Sequence, residues 1–151
     1  MDAHDLTPLD HVAVSAEPID ADVQRALVAD AAAGAIVQFL GTVRDHSAGR
    51  EGVTHLEYEA YGGVVEAKIA EIVSEVRKRW PGILRCAAEH RTGSLDVGEI
   101  AVCVTVSAPH RRDAFEAGQY LIDELKNRAP IWKKEHWPGG AEWVREDQQH
   151  A

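Results

Sequence analysis

Apolar positions recur along this chain at two spacings, one helical and one extended. Across residues 63–80 they fall at Val65, Ile69, Ile72, Val73, Val76 and Trp80, the three- and four-residue steps that stack on one helix face. Pro81-Gly82 breaks that helix. A second helix is predicted from about Arg111 to Asn127, with Phe115, Gly118, Ile122 and Leu125 as its stripe. Pro130 ends it, because proline lacks the N–H and turns Ala129 away from helical angles. A third helix opens at Pro18-Ile19-Asp20, with Asp20 as its cap, Val23, Leu27 and Val28 as its face, and Gly34 closing the helical region.

Between the helices the pattern is β. Residues 11–15 alternate weakly and read as a first strand. Residues 35–43 are apolar on both faces and rich in β-branched side chains, which predicts a central strand. A polar, glycine-punctuated loop over 44–52 leads to a strand over 53–60, expected to run antiparallel to 35–43. Residues 83–90 and 100–107 are further strands joined by a turn-rich stretch over 91–99. Trp137-Pro138-Gly139-Gly140 is a turn, and Trp143-Val144 a short packed segment. The order is β-α-β-β-α-β-β-α-β, without repeat or internal linker. Strand pairs with no helix between them predict an α+β fold with a mostly antiparallel sheet and three main helices. The expected boundaries are an N-terminal arm over 1–8, one domain over 9–145 and a tail over 146–151.

Charge narrows the function. Sixteen Lys and Arg stand against 25 Asp and Glu, a poor balance for gripping a polyphosphate backbone. An RNA-binding sheet would need exposed aromatics among basic residues, and only two Phe and three Tyr occur. The basic residues nevertheless cluster, at Arg111-Arg112, Lys126 to Arg128 and Lys133-Lys134, which suits a small anion. No apolar run is long enough to span a membrane, and the first residues lack the pattern of a secretory signal; the expected location is the cytoplasm. Cys86 and Cys103 lie in apolar runs without C-x-x-C spacing, so both read as buried, inert thiols. The eight histidines show no helical i, i+4 pair, so no metal site is expected.

Three places carry candidate chemistry. Pro109-His110-Arg111-Arg112 opens a helix with cations where the dipole prefers acids, so free N–H groups and guanidinium form a phosphate cradle; alternatively Arg111 pairs with an acid. Arg44 follows the strongest strand beside the glycine-rich loop, as a ligand-holding group or a solvated loop residue. Lys126 lies four after Ile122, on the border of the apolar stripe, with Lys133 and Lys134 close behind. Such lysines either snorkel at a helix C-terminus or serve as acid, base or anion holder. Arg111 and Lys126 are fifteen residues apart, roughly 22 Å on a straight helix, which favours a site completed across a dimer.

In combination the blocks Gly34-Ala35 through Phe39-Leu40-Gly41-Thr42-Val43-Arg44, Leu56-Glu57-Tyr58-Glu59-Ala60-Tyr61, His90-Arg91-Thr92-Gly93, His110-Arg111-Arg112-Asp113-Ala114-Phe115, Leu125-Lys126 and Ala129-Pro130-Ile131-Trp132-Lys133-Lys134-Glu135 resemble the large, catalytic subunit of molybdopterin synthase, the MoaE family. The resemblance runs from about Leu9 to Trp143. It implies an α/β hammerhead-type domain, α+β in character. It also implies a sulfurtransferase of molybdenum cofactor biosynthesis, which builds the dithiolene on cyclic pyranopterin monophosphate. The sulfur would come as the C-terminal thiocarboxylate of a small ubiquitin-like subunit, in a heterotetramer around a homodimer of large subunits. By motif position, substrate contacts fall on Thr42, Val43, Arg44, His110, Arg111, Lys126, Lys133, Lys134 and Glu135, with Lys126 and Lys133 as the catalytic pair. No resident cofactor or metal is implied. The alternative is a non-catalytic binding domain for a phosphorylated metabolite. The sequence departs from the family at Val64-Val65, where Met-Ala is usual, and repacking near the pocket is expected there.

Overall fold

In the computed structural model, residues 9–47, 49–61 and 63–145 are described; the expected arm 1–8 and tail 146–151 lie outside the described residues. The sequence of elements is β1 (Asp10–Ser15), α1 (Ala21–Leu27), β2 (Ala35–Thr42), β3 (His46–Ser47), β4 (Arg50–Glu51), β5 (His55–Ala60), α2 (Val64–Arg79), β6 (Arg85–Arg91), β7 (Gly93–Asp96), β8 (Ile100–Ala108), α3 (Arg111–Arg128), β9 (Ile131–Trp137) and β10 (Gly140–Arg145). The fold is α+β, as expected. Among the described residues no helix is long and apolar enough to cross a membrane.

The first sheet has the order β1-β6-β8-β2; β1 and β6 are parallel and the other pairs antiparallel. Its centre is β8, buried from Ala101 to Ala108. Alternate side chains leave opposite faces of a strand, and here the two faces have different covers. Gly118 of α3 packs on Val37 and Val106, and the α2 stripe Val65, Ile69, Ile72, Val73 and Val76 is buried on the same core. On the other face Gln24 of α1, fully buried, donates to the Cys103 carbonyl at 3.1 Å and accepts from Thr105 Oγ1 at 2.5 Å. Asp20 caps α1 as expected, accepting from the Asp22 and Val23 amides. Pro130 stops α3 as expected, with Ala129 in extended backbone.

Several expectations need correction. Residues 35–43 do not form a central strand: β2 is an edge, with Ile36, Phe39 and Leu40 exposed. Apolarity marks a surface that avoids water without saying what covers it, and here the covering strand lies on one side only. The face of α1 is Gln24 and Val28, whereas Val23 and Leu27 are exposed; a buried glutamine satisfied by β8 reads as polar in sequence. That helix also ends at Leu27, well before Gly34. On α3 the buried stripe is Ala114, Ala117, Gly118, Leu121, Ile122 and Leu125, and Phe115 points out at 63% exposure. Small residues allow close approach to the sheet and are easily overlooked beside a phenylalanine.

The strand over 53–60 does not pair with 35–43 either. The β3–β4 hairpin consumes the chain reversal, and β5 enters a second sheet of order β10-β9-β5-β7, antiparallel throughout. Two of its members, β7 and β9, fall in stretches without an alternating apolar pattern. Val65 belongs to the core while Val64 is exposed, so the departure from Met-Ala repacks the α2 base, and neither valine lines the site described next.

Candidate functional site

The two sheets and the end of α3 meet around a cavity of about 340 Å³. Its walls are Phe39, Leu40, Gly41 and Thr42 from the end of β2, Arg44, and His46 and Ser47 of the β3–β4 hairpin. Val53, with Leu56 and Tyr58 of β5, forms another side, and Lys126, Lys133 and Glu135 complete the lining. Register explains the polar wall. Leu56 lies opposite Glu135, and Tyr58 opposite Lys133, so the four side chains share one face of the second sheet. Lys126 arrives from the last turn of α3, where the carbonyl ends favour a cation. At Gly41 the β2–β8 register shifts, and any Cβ there would run into the Val102 side chain. Glycine at that bulge keeps the wall of the cavity open.

Glu135 is the anchor of this wall. Its carboxylate is 2% exposed, and Arg50 Nη1 donates to Oε1 at 2.6 Å while Ser47 Oγ donates at 3.1 Å. Lys133 Nζ stands 3.6 Å from Oε2. Arg50 is itself clamped, with Nη2 2.6 Å from Glu142 Oε2 and its guanidinium 3.8 Å over the Trp137 ring. The hydrogen bond from Glu142, reinforced by Glu135, raises the Arg50 pKa above its ordinary value. A buried carboxylate tied this way holds the Lys133 ammonium at a set place in the cleft.

The expected site residues separate into groups. Thr42, Arg44, Lys126, Lys133 and Glu135 line one cavity. Val43 is buried beneath it, its amide donating to the Glu99 carbonyl at 2.9 Å. Lys134 faces away, as its neighbours' alternation requires, with its ammonium over the Trp143 ring at 5.5 Å. His110 and Arg111 are exposed at the opposite end of α3 and do not line this cavity. His110 is the N-cap residue and makes no side-chain capping bond. Sequence reasoning missed Ser47, Arg50 and Tyr58; the Arg50–Glu135 contact spans 85 residues, and no local spacing announces it.

Two neighbouring features set the electrostatics without entering the cavity. Hydrogen bonds from Arg128, and then from Tyr120, lower the Glu75 pKa to about 2 against desolvation, which ties α2 to the turn of α3 that carries Lys126. Burial pushes the Cys86 thiol up to about 12 and the Cys103 thiol up to about 11, so neither supplies a thiolate near neutral pH.

Residues 14–128 match the family model described as MoaE protein. The chain belongs to the MoaE family. It is 44% identical over 128 residues to a Staphylococcus carnosus protein named molybdopterin synthase catalytic subunit, covering 85% of this chain and 84% of that one. The crystal structure of molybdopterin synthase from Staphylococcus aureus matches with a TM-score of 0.81 at 38% identity, over 92% of this chain and 98% of that one. A Helicobacter pylori complex of subunits 1 and 2 of molybdopterin-converting factor matches with a TM-score of 0.72 over 94% of this chain and 93% of that one. At 17% identity that match shows the MoaE-type fold alone.

Proposed function

We propose that this chain serves as the catalytic subunit of a molybdopterin synthase and that the cavity between the two sheets is its sulfur-transfer site. The observation that carries this reading is the convergence of Lys126, from a helix end, and Lys133, from β9, on one cleft with Arg44 at its mouth. Two anions must meet for the reaction, the cyclic phosphate of the pterin substrate and the thiocarboxylate tail of a small ubiquitin-like subunit. A cleft with three cationic side chains and one pre-paired carboxylate receives both, on a protein whose net charge of -9 would otherwise repel them.

In the proposed sequence the thiocarboxylate sulfur attacks the pterin side chain, forming a C–S bond. Lys126 or Lys133 gives or takes the accompanying proton. Water then cleaves the acyl–sulfur bond, returning the small subunit as its carboxylate and leaving sulfur on the pterin; a second thiocarboxylate repeats the step. Glu135 and Arg50 fix the Lys133 end, and no resident cofactor takes part. His110 and Arg111 stand apart from the cleft in one chain, so their contribution comes from a second copy, in a homodimer that carries one small subunit at each end. The assembly works in the cytoplasm.

The test combines the protein with thiocarboxylated small subunit and cyclic pyranopterin monophosphate. Dithiolene product supports the reading. Tight pterin binding without product, unchanged in Lys126→Arg, would instead establish a metabolite-binding domain.

A further inference from the structure

On the side of the second sheet away from the cleft, His55, Glu57 and His136 bring one ligand atom each within 4.8 Å of one another. We propose that they form a binding site for a divalent transition-metal ion of the zinc class. The backbone makes this constellation. Residues two apart on a strand share a face, which aligns His55 with Glu57, and the β5–β9 register sets His136 directly opposite His55. Two imidazoles and one carboxylate are a three-ligand set that leaves a tetrahedral zinc its fourth position for water.

The details favour an ion over a chance cluster. His136 Nε2 is shielded from solvent and finds no hydrogen-bond partner among the described residues. It stands 3.3 Å from Glu57 Oε1, about the spacing of two ligands each 2.0–2.1 Å from a tetrahedral zinc. Thr54 Oγ1 donates to the His136 carbonyl at 3.3 Å and lies 3.1 Å from His55 Nδ1. Because the hydroxyl hydrogen is already committed, Nδ1 must carry the proton in that contact, and His55 Nε2 keeps its lone pair. Such an outer contact fixes the tautomer of a ligating histidine. Lys134 is directly opposite Glu57, yet its ammonium turns over the Trp143 ring and leaves the carboxylate to the histidines. Asp96, opposite His55 on β7, adds negative charge to the same face.

The two rings now stack, with centroids 4.0 Å apart and planes 13° from parallel. An ion would be gained by turning the rings about their Cβ–Cγ bonds, a motion with low barriers. No spacing along the chain predicts the site, since two ligands are cross-strand neighbours 81 residues apart. Its place in the fold gives it an effect: it pins β9 to β5 from behind, while Lys133 and Glu135 of β9 face the cleft.

The test is Zn(II) titration of untagged, metal-free protein by calorimetry, with Co(II) absorption as a report of tetrahedral coordination. One saturable site is expected, with the thermal midpoint raised by Zn(II). His55→Gln and His136→Gln should each abolish it, and Thr54→Val should weaken it about 10–100-fold through the lost tautomer lock. If His136→Gln does not fold, Glu57→Gln, at a half-exposed position, takes its place and should lose affinity and the tetrahedral Co(II) spectrum. Absence of Zn(II) binding to the parent protein, or equal binding by the His55→Gln and Glu57→Gln variants, overturns the proposal.

Discussion

Arg50→Ala removes the principal partner of a buried carboxylate, and its cost can be worked from the contacts. Glu135 is 2% exposed and receives the Arg50 bond at 2.6 Å. Breaking a buried pair by deleting one member costs about 3–5 kcal/mol. Ser47 at 3.1 Å and Lys133 at 3.6 Å remain, which lowers that to about 2–3 kcal/mol because the charge keeps some solvation. Loss of the guanidinium over Trp137 adds about 0.5–1 kcal/mol. The pair with Glu142, whose side chain is 56% exposed, adds at most about 1 kcal/mol. The total is about 3 kcal/mol, or about 6–12 °C in Tm for a domain of this size. Equilibrium urea unfolding at one fixed protein concentration measures it, with Glu142→Gln as a control that should shift stability by less than about 0.5 kcal/mol. A double-mutant cycle with Glu135→Gln should return most of the loss as coupling. If Arg50→Ala unfolds within about 0.5 kcal/mol of the parent, the buried anchor has been misread.

Other outcomes follow from the same contacts. Folding lowers the Glu75 pKa from 4.5 to about 2, so its stabilisation is complete above pH 4.5 and is lost as pH falls towards 2. With screening of a partly exposed network it is worth about 1–2 kcal/mol at neutral pH, and Glu75→Gln should remove it and flatten the acid limb of a stability–pH profile. Gln24→Ala should cost about 2–4 kcal/mol by stripping partners from buried Thr105 and the Cys103 carbonyl, whereas Val23→Ala should be nearly neutral in the same denaturation assay. Cys86 and Cys103 should both resist a thiol reagent at pH 8 in the native protein and both react in denaturant. Rapid native labelling of either would contradict their burial.

The long helices were legible because each buries one stripe, and the signals at their ends, Asp20 and Pro130, act locally. What stayed hidden depends on contacts between distant segments. Strand β9 shows no apolar alternation because Lys133 and Glu135 take the positions where a core strand would carry valine. That violation of local pattern falls at the candidate site itself. Strand β7 is four residues long with Leu95 as its only buried side chain, too little for periodicity to register. Lys126 and Lys133 were legible as parts of sequence blocks, but their meeting in one cleft depends on the second sheet closing beside α3. Arg50 looked like a loop residue until the fold brought Glu135 beneath it. His110, Arg111 and Lys134 show the reverse, since the same blocks carry them and one chain does not place them in the cleft.

The most direct measurement is a single-turnover assay of dithiolene formation with preformed thiocarboxylated small subunit, run on Lys126→Ala and Lys133→Ala beside the parent protein. Pterin binding should be measured on the same samples. Each variant should lose at least about 100-fold in rate, as expected when a proton-transfer group is removed, while remaining folded and still binding the small subunit. Parent-like turnover by either variant would contradict the claim that the cleft shared by these two lysines is where sulfur is transferred.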